Sequence, residues 1–218
     1  MKRKLLFVLA LVAVMLTCSL AQARSLPHNN RGYDTIPAKF VDLGFDNTLL
    51  LRWFLVGDSA SFEADYLPSL HFRYFVLKNF GLSLHVGGFV GYGYQSFEGD
   101  VINENQDLGF TATVMVNYFL GIANTNLFWK PGIGGGFFYG NRDVADPAEP
   151  GRDLEHTLIG GIVRVDLGFT FYAGPNWNLS AGPDLVLRLG SANAQDDSGS
   201  EFFTSLHGGF SAGFGYTW

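Results

Sequence analysis

Residues 202–218 read FFTSLHGGFSAGFGYTW. The even-numbered positions are Phe202, Thr204, Leu206, Gly208, Phe210, Ala212, Phe214, Tyr216 and Trp218. The odd-numbered positions are Phe203, Ser205, His207, Gly209, Ser211, Gly213, Gly215 and Thr217. A strand sends successive side chains to opposite faces. One face is therefore mostly apolar and aromatic, and the other small or polar. A soluble barrel buries such an apolar face, whereas a membrane barrel turns it to lipid and keeps a polar lumen.

Working outward, seven further segments show the same alternation. They run over residues 40–56, 66–76, 81–94, 108–119, 127–139, 157–172 and 178–189. In the first, Val41, Leu43, Phe45, Leu49, Leu51 and Trp53 oppose Asp42, Asp46 and Arg52. In the sixth, Ile159, Val163, Val165, Leu167, Phe169 and Phe171 oppose Arg164, Asp166 and Thr170. Each segment can supply the roughly 9–11 tilted residues that cross a bilayer. Pro68, Pro131 and Pro183 fall on the apolar sets, where a missing donor predicts bulges or strand ends.

The connections alternate in length. Residues 77–80, 121–126 and 173–177 are short and carry no acid. Residues 57–65, 95–107, 140–156 and 190–201 are long and hold 15 of the 20 acidic residues against Arg142 and Arg152, a formal balance of −13. Short turns at one end and long loops at the other are the pattern of an outer-membrane barrel. Parity adds a local expectation. A two-residue turn at Lys78-Asn79 would pair Leu77 with Phe80 and invert the faces, so a three-residue loop, built for instance with a G1-type bulge, is predicted.

The N-terminus carries Lys2, Arg3 and Lys4, an apolar run from Leu5 to Leu16, and Ala21-Gln22-Ala23. That order reads as a secretory signal peptide over 1–23. The run is too short for a membrane anchor. Thr17 is larger than the small residue expected before a lipidated Cys18. Cleavage after Ala23 would remove the single cysteine and leave about 195 residues, one domain with no disulfide. The expected organisation is a signal peptide (1–23), a periplasmic arm (24–38) and a barrel (39–218). Charged residues are 16% and glycines number 28, which suits a barrel wall in lipid better than a soluble domain of roughly 25% charge. The formal charge of −6 becomes −9 without Lys2, Arg3 and Lys4, so nucleic acid is not an expected partner.

On these residues the chain resembles small eight-stranded outer-membrane barrels of the OmpA/OmpX type, over Phe40 to Trp218. The resemblance implies an all-β, eight-stranded antiparallel up-and-down transmembrane barrel in the bacterial outer membrane, in contact with lipid and lipopolysaccharide. It also implies that Phe210, Phe214, Tyr216 and Trp218 form a signal read by the outer-membrane assembly machinery, although Phe is the commoner last residue in that family. A structural or surface-interaction role follows, without catalytic residues and without a cofactor.

The lumen-facing sets collect Asp42, Asp46, Asp166 and Asp184 with Arg52, Arg73, Lys130, Arg164 and Arg188. Eight strands leave a bore only about wide enough for side chains, and buried charges pair. A charge network that plugs the lumen is therefore expected, with a narrow gated channel as the alternative. His71, His85 and His207 face the same way. They are expected as hydrogen-bonded lumen groups, since a metal site needs ligands at fixed geometry with a second shell.

Lipid A acyltransferases and deacylases, enzymes that the chain resembles in size and strand count, supply the first alternative to the structural role, ahead of the channel. Ser205 and His207 share a face as a nucleophile and base would, but that face points away from lipid and no acid is placed to orient His207. The run Gly132–Gly136 (GIGGG) lacks the lysine and the strand-loop-helix setting of a phosphate loop. It reads instead as wall packed closely by bulky neighbours, or as a bend. A lipocalin-like soluble binder would need an apolar interior, which the charges and histidines oppose. Divalent cations, calcium or magnesium by their oxygen preference, are expected partners of the acidic loops, with Asp143, Asp146, Glu149 and Asp153 as candidates.

Overall fold

A computed structural model describes residues 35–56, 59–97, 100–123, 125–145, 153–174, 176–194 and 199–218. The expected signal peptide and most of the N-terminal arm lie outside the described residues. So do Asp146, Glu149 and Arg152 of the widest expected loop.

Eight long strands make the wall: β1 (Val41–Val56), β2 (Ser59–Leu77), β3 (Phe80–Phe97), β4 (Asp100–Tyr118), β7 (Gly132–Ala145), β8 (Asp153–Asp166), β10 (Trp177–Ala194) and β11 (Ser200–Thr217). Three short pieces, β5 (Leu120–Gly121), β6 (Leu127–Trp129) and β9 (Phe169–Tyr172), lie in chain order just after β4, just before β7 and just after β8. Long strands adjacent in sequence pair antiparallel, and β11 pairs with both β1 and β10, which closes the ring. Closure removes the sheet edges that would otherwise expose unpaired backbone groups. No helix of the described residues is long and apolar enough to cross a membrane; the strands are the candidates for crossing.

The apolar sets face outward. Leu43, Leu49, Leu70, Val90, Val114, Ile159, Leu179 and Phe210 are all exposed, while Asp42, His71, Arg73, Arg164, Asp184 and His207 are buried. A soluble barrel would show the reverse, so the lipocalin-like reading falls. Tyr74, Tyr118, Trp129, Trp177 and Tyr216 ring the outer wall near the chain termini, and Trp53, Tyr66, Tyr92 and Tyr139 lie toward the far end. Two aromatic belts flanking an apolar band are what a bilayer with two interfaces requires.

Several expectations need correction. The long loops are mostly strand. Ladders continue to Val56↔Ser59, Phe97↔Asp100, Ala145↔Asp153 and Asn193↔Ser200. Antiparallel pairing satisfies backbone groups whatever the side chains are, so polar residues beyond the apolar band stay in register. The Lys78-Asn79 turn is the two-residue one, with Leu77 opposite Phe80. Parity is restored inside β2, where the register shifts between Phe75 and Leu77. The extra residue is thus absorbed by the strand, and Asn79 takes a left-handed backbone (φ 59°) to close the turn.

Trp218 was expected on the lipid-facing set but is only 8% exposed. It exchanges two 2.9 Å backbone hydrogen bonds with Val41, and its ring centroid lies 5.9 Å from that of Tyr216. Pro131 sits at a strand end, between β6 and β7, as expected, whereas Pro68 and Pro183 lie inside β2 and β10 with no register shift, Pro68 in a gap of the β2–β3 ladder and Pro183 opposite the break between β8 and β9.

Candidate functional site

The barrel interior is the candidate site, and the inward positions of each strand stack it in bands. On β1 and the residue before it, the inward series is Phe40, Asp42, Asp46, Thr48, Leu50, Arg52. On β2, read from the same end, it is Phe75, Arg73, His71, Ser69, Leu67, Asp65, Glu63. On β9 and β8 it is Tyr172, Thr170, Asp166, Arg164, Ile162 and Leu158. Two apolar clusters result. Ile36, Phe40, Phe75, Phe119, Phe128 and Tyr172 close the end near the termini. Leu50, Leu67, Phe89, Phe138, Leu158, Ile162, Val186 and Ala192, with Phe203 against them, cross the bore farther along. Between them lies one charged band, and beyond the second cluster lies another.

The inner charged band holds Asp42, Asp46, His71, Arg73, His85, Lys130, Arg164, Asp166 and Asp184, all buried. Arg73 Nη1 donates to Asp42 Oδ2 at 2.5 Å, and Lys130 Nζ lies 2.8 Å from Asp166 Oδ2. Arg164 grips Asp184 with two nitrogens, at 3.0 and 2.5 Å, and donates to Thr48 Oγ1 at 2.9 Å across the bore. Asp42 also accepts from Asn178 at 2.9 Å, and Asp166 from the Gly168 N–H at 2.8 Å. A bidentate guanidinium–carboxylate pair is both strong and geometrically specific.

Asp46 differs from the other three carboxylates. Its described ion-pair partners are histidines alone: His71 Nδ1 at 2.7 Å and His85 Nδ1 at 3.4 Å from the same oxygen, Oδ2. His71 and His85 are directly opposed across the β2–β3 ladder, with ring centroids 5.4 Å apart. Glycines make room for the group. A Cβ at Gly44 would strike the His71 ring, and one at Gly213 would strike Asp46 Oδ1.

The outer band contains the partners that sequence reading left in loops. Arg188 Nη1 meets Asp65 Oδ2 at 3.1 Å, Arg142 grips Asp107 with two bonds of 2.8 Å, and Arg52 pairs with Glu63. Arg52 and Arg188 therefore belong to this outer band and not to the inner one. The missed signal was parity: Glu63 and Asp65 continue the odd set of His71 and Arg73, and Asp107 continues the odd set of the fourth segment. Beyond them a cavity of about 530 Å³ is lined by Arg52, Glu63, Tyr94, Arg142, His156 and Ser205, among others.

Ser205 and His207 both point inward and are buried. The acid that the sequence did not place is Asp65, whose Oδ2 is 3.3 Å from His207 Nδ1; Glu63 Oε2 is 3.6 Å from His207 Nε2. Among the described hydrogen bonds Ser205 makes none to His207. The Gly132–Gly136 run is a wall segment: a Cβ at Gly134 would meet Met115 of β4, and one at Gly136 the β4 backbone.

No family model matches the chain, and no curated protein matches it. Among solved structures it is similar to the Neisserial surface protein A, with 15% identity over 81% of this chain and 95% of that one and a TM-score of 0.44. It is similar to the outer membrane protein OprG of Pseudomonas aeruginosa, with 15% identity over 87% and 99% and a TM-score of 0.46. It is also similar to Ail, the attachment invasion locus protein of Yersinia pestis, with 12% identity over 84% and 100% and a TM-score of 0.43.

Proposed function

We propose that this chain is a bacterial outer-membrane barrel with a closed lumen, whose role is structural or surface-interacting and not catalytic. One observation carries the reading: the interior stacks two charged bands and two apolar clusters in alternation. An ion path needs continuous polar lining. Here an ion would have to cross Phe89, Phe138 and Leu50 and then displace paired charges held at 2.5–3.1 Å. A water-filled pore of this strand number would have to give up that filling.

The surface that meets partners is the far end of the barrel, where the outer cavity opens and the strands run past the aromatic belt. Its carboxylates suit divalent cations bridging to lipopolysaccharide. The test is single-channel recording of the full chain folded into planar bilayers. The expected result is no steady conductance in the folded protein. A large, steady conductance would overturn the closed-lumen reading. Lipid A from cells with and without the protein should give identical mass spectra.

A further inference from the structure

We infer that Asp46, His71 and His85 form a binding site for a first-row transition-metal dication, buried inside the barrel wall. The three residues can each present one ligand atom with all three atoms within 4.8 Å of one another. The site is defined by what each ring nitrogen faces.

His71 lies between two carboxylates: Nδ1 is 2.7 Å from Asp46 Oδ2, and Nε2 is 3.3 Å from Asp42 Oδ2. An ionised carboxylate only accepts hydrogen bonds. At 2.7 Å from an acceptor-only oxygen Nδ1 carries a hydrogen, and Nε2 faces Asp42 in the same way, so His71 bridges the two carboxylates as an imidazolium, and a metal ion would bind at Nδ1 in place of that proton. His85 is held by a hydroxyl instead. Its Nε2 lies 3.1 Å from Ser83 Oγ, and that hydroxyl donates its own hydrogen to Asn117 Oδ1 at 2.9 Å. Ser83 therefore accepts from His85 Nε2–H, which leaves Nδ1 of His85 with a lone pair. Among the described residues that atom has no hydrogen-bond partner, and it lies 3.4 Å from the same Asp46 oxygen. With the His71 Nδ1 proton displaced, two imidazole nitrogens and one carboxylate oxygen converge in a buried space. A proton joins two such atoms; a metal ion joins all three.

The surroundings have the form of a built site. Metal-binding histidines are usually held by a carboxylate, hydroxyl or carbonyl on the far nitrogen, and Asp42 and Ser83 take that position here. Asp42 is itself fixed by Arg73 and Asn178. The neighbouring cations are already engaged, Lys130 with Asp166 and Arg164 with Asp184. Two imidazoles and one carboxylate select zinc, iron, nickel or copper over calcium and magnesium. Tetrahedral ligation at about 2.0–2.1 Å separates ligand atoms by about 3.3 Å. The Asp46–His85 distance already has that value, and the Asp46–His71 contact has to lengthen by about 0.6 Å. The apolar clusters seal the band from both ends, so the ion is captured as the barrel closes and does not enter through the lumen.

The test is to fold the full chain in detergent with zinc, remove free metal, and measure bound zinc by mass spectrometry. Folding is confirmed by heat-modifiable gel migration. Stoichiometric zinc in the wild type and in His207→Gln is expected, with at least a tenfold loss in His85→Gln and in Asp46→Asn. X-ray absorption of the zinc-loaded wild type provides a readout that needs no variant to fold, and it should show two imidazoles in the first shell. Folded wild type without zinc would mean that a proton alone bridges the group, and would overturn the site. Zinc retained by folded His85→Gln, or a first shell without imidazole, would overturn it equally.

Discussion

Ile36 and Asn79 hold each other through two hydrogen bonds. The Ile36 N–H donates to Asn79 Oδ1 at 2.6 Å, and the Asn79 N–H donates to the Ile36 carbonyl at 2.9 Å. The β2–β3 turn thereby pins the segment before β1 beneath the barrel, with the Ile36 side chain fully buried against Phe75, Phe119, Phe128 and Tyr172.

Asn79→Gly keeps the left-handed turn but leaves the buried Ile36 N–H without its acceptor. It should cost about 1–3 kcal/mol. Asn79→Ala should cost about 1–2 kcal/mol more, because a Cβ is penalised in that backbone region. Glycine should thus be the better replacement, the reverse of the usual order within a strand. Urea unfolding in micelles measures both.

The outward set can be tested at Phe210, which is 55% exposed. Phe210→Arg should destabilise the barrel in bilayers by about 2–4 kcal/mol if the position lies near the midplane. Phe210→Leu should be close to neutral. Equal stability of the two variants would contradict the lipid-facing register. Ser211→Arg should also destabilise the barrel, since Ser211 is buried in a filled interior and donates to the Gly182 carbonyl.

Arg164 and Asp184 should behave as a unit. Asp184→Leu alone strands a buried guanidinium and should cost about 3–5 kcal/mol. Adding Arg164→Met should recover part of that loss, because the uncompensated charge is gone. A double-mutant cycle by urea unfolding reads the coupling, and additive losses would show that the pair does not interact.

Gly213 and Gly208 lie on opposite faces of one strand. A side chain at 213 would strike Asp46 and the Phe45 carbonyl, whereas at 208 it would meet only Leu185 at 3.8 Å. Gly213→Ala should cost about 1–3 kcal/mol. Gly208→Ala should be neutral or stabilising by up to about 1 kcal/mol. Folding midpoints of the two variants test the contrast.

The fold was legible because alternation survives over whole strands: Phe202 through Tyr216 alone distinguishes an outward apolar face from an inward polar one. The membrane choice followed from charges on the other face, such as Asp46, Arg164 and Asp184. Strand ends were not legible. Glu63, Asp65 and Asp107 read as loop residues by composition, yet hydrogen-bond ladders extend past the apolar band without regard to side-chain type. The Val76 irregularity was also hidden, because an odd turn parity can be repaired in the turn or in the strand and composition does not choose. The convergence of Asp46, His71 and His85 needed registers: the β1–β2 ladder pairs Asp46 with Ser69, close enough for the His71 side chain to reach it.

The filling of the bore is divided unevenly among the strands. β1, β2, β8 and β10 send in most of the long side chains, while β7 and β11 present Gly132, Gly134, Gly136, Gly140, Gly209, Gly213 and Gly215 to the inside. The space left to a solute therefore depends on which side chains fill the bore as well as on strand number. Truncating Arg73, Arg164 and Arg188 together with their partners Asp42, Asp184 and Asp65, and the two phenylalanines Phe89 and Phe138, would leave a tube walled partly by bare peptide along β7 and β11. This scaffold could be hollowed by shortening side chains alone, with its hydrogen-bonded wall and its lipid-facing skin unchanged.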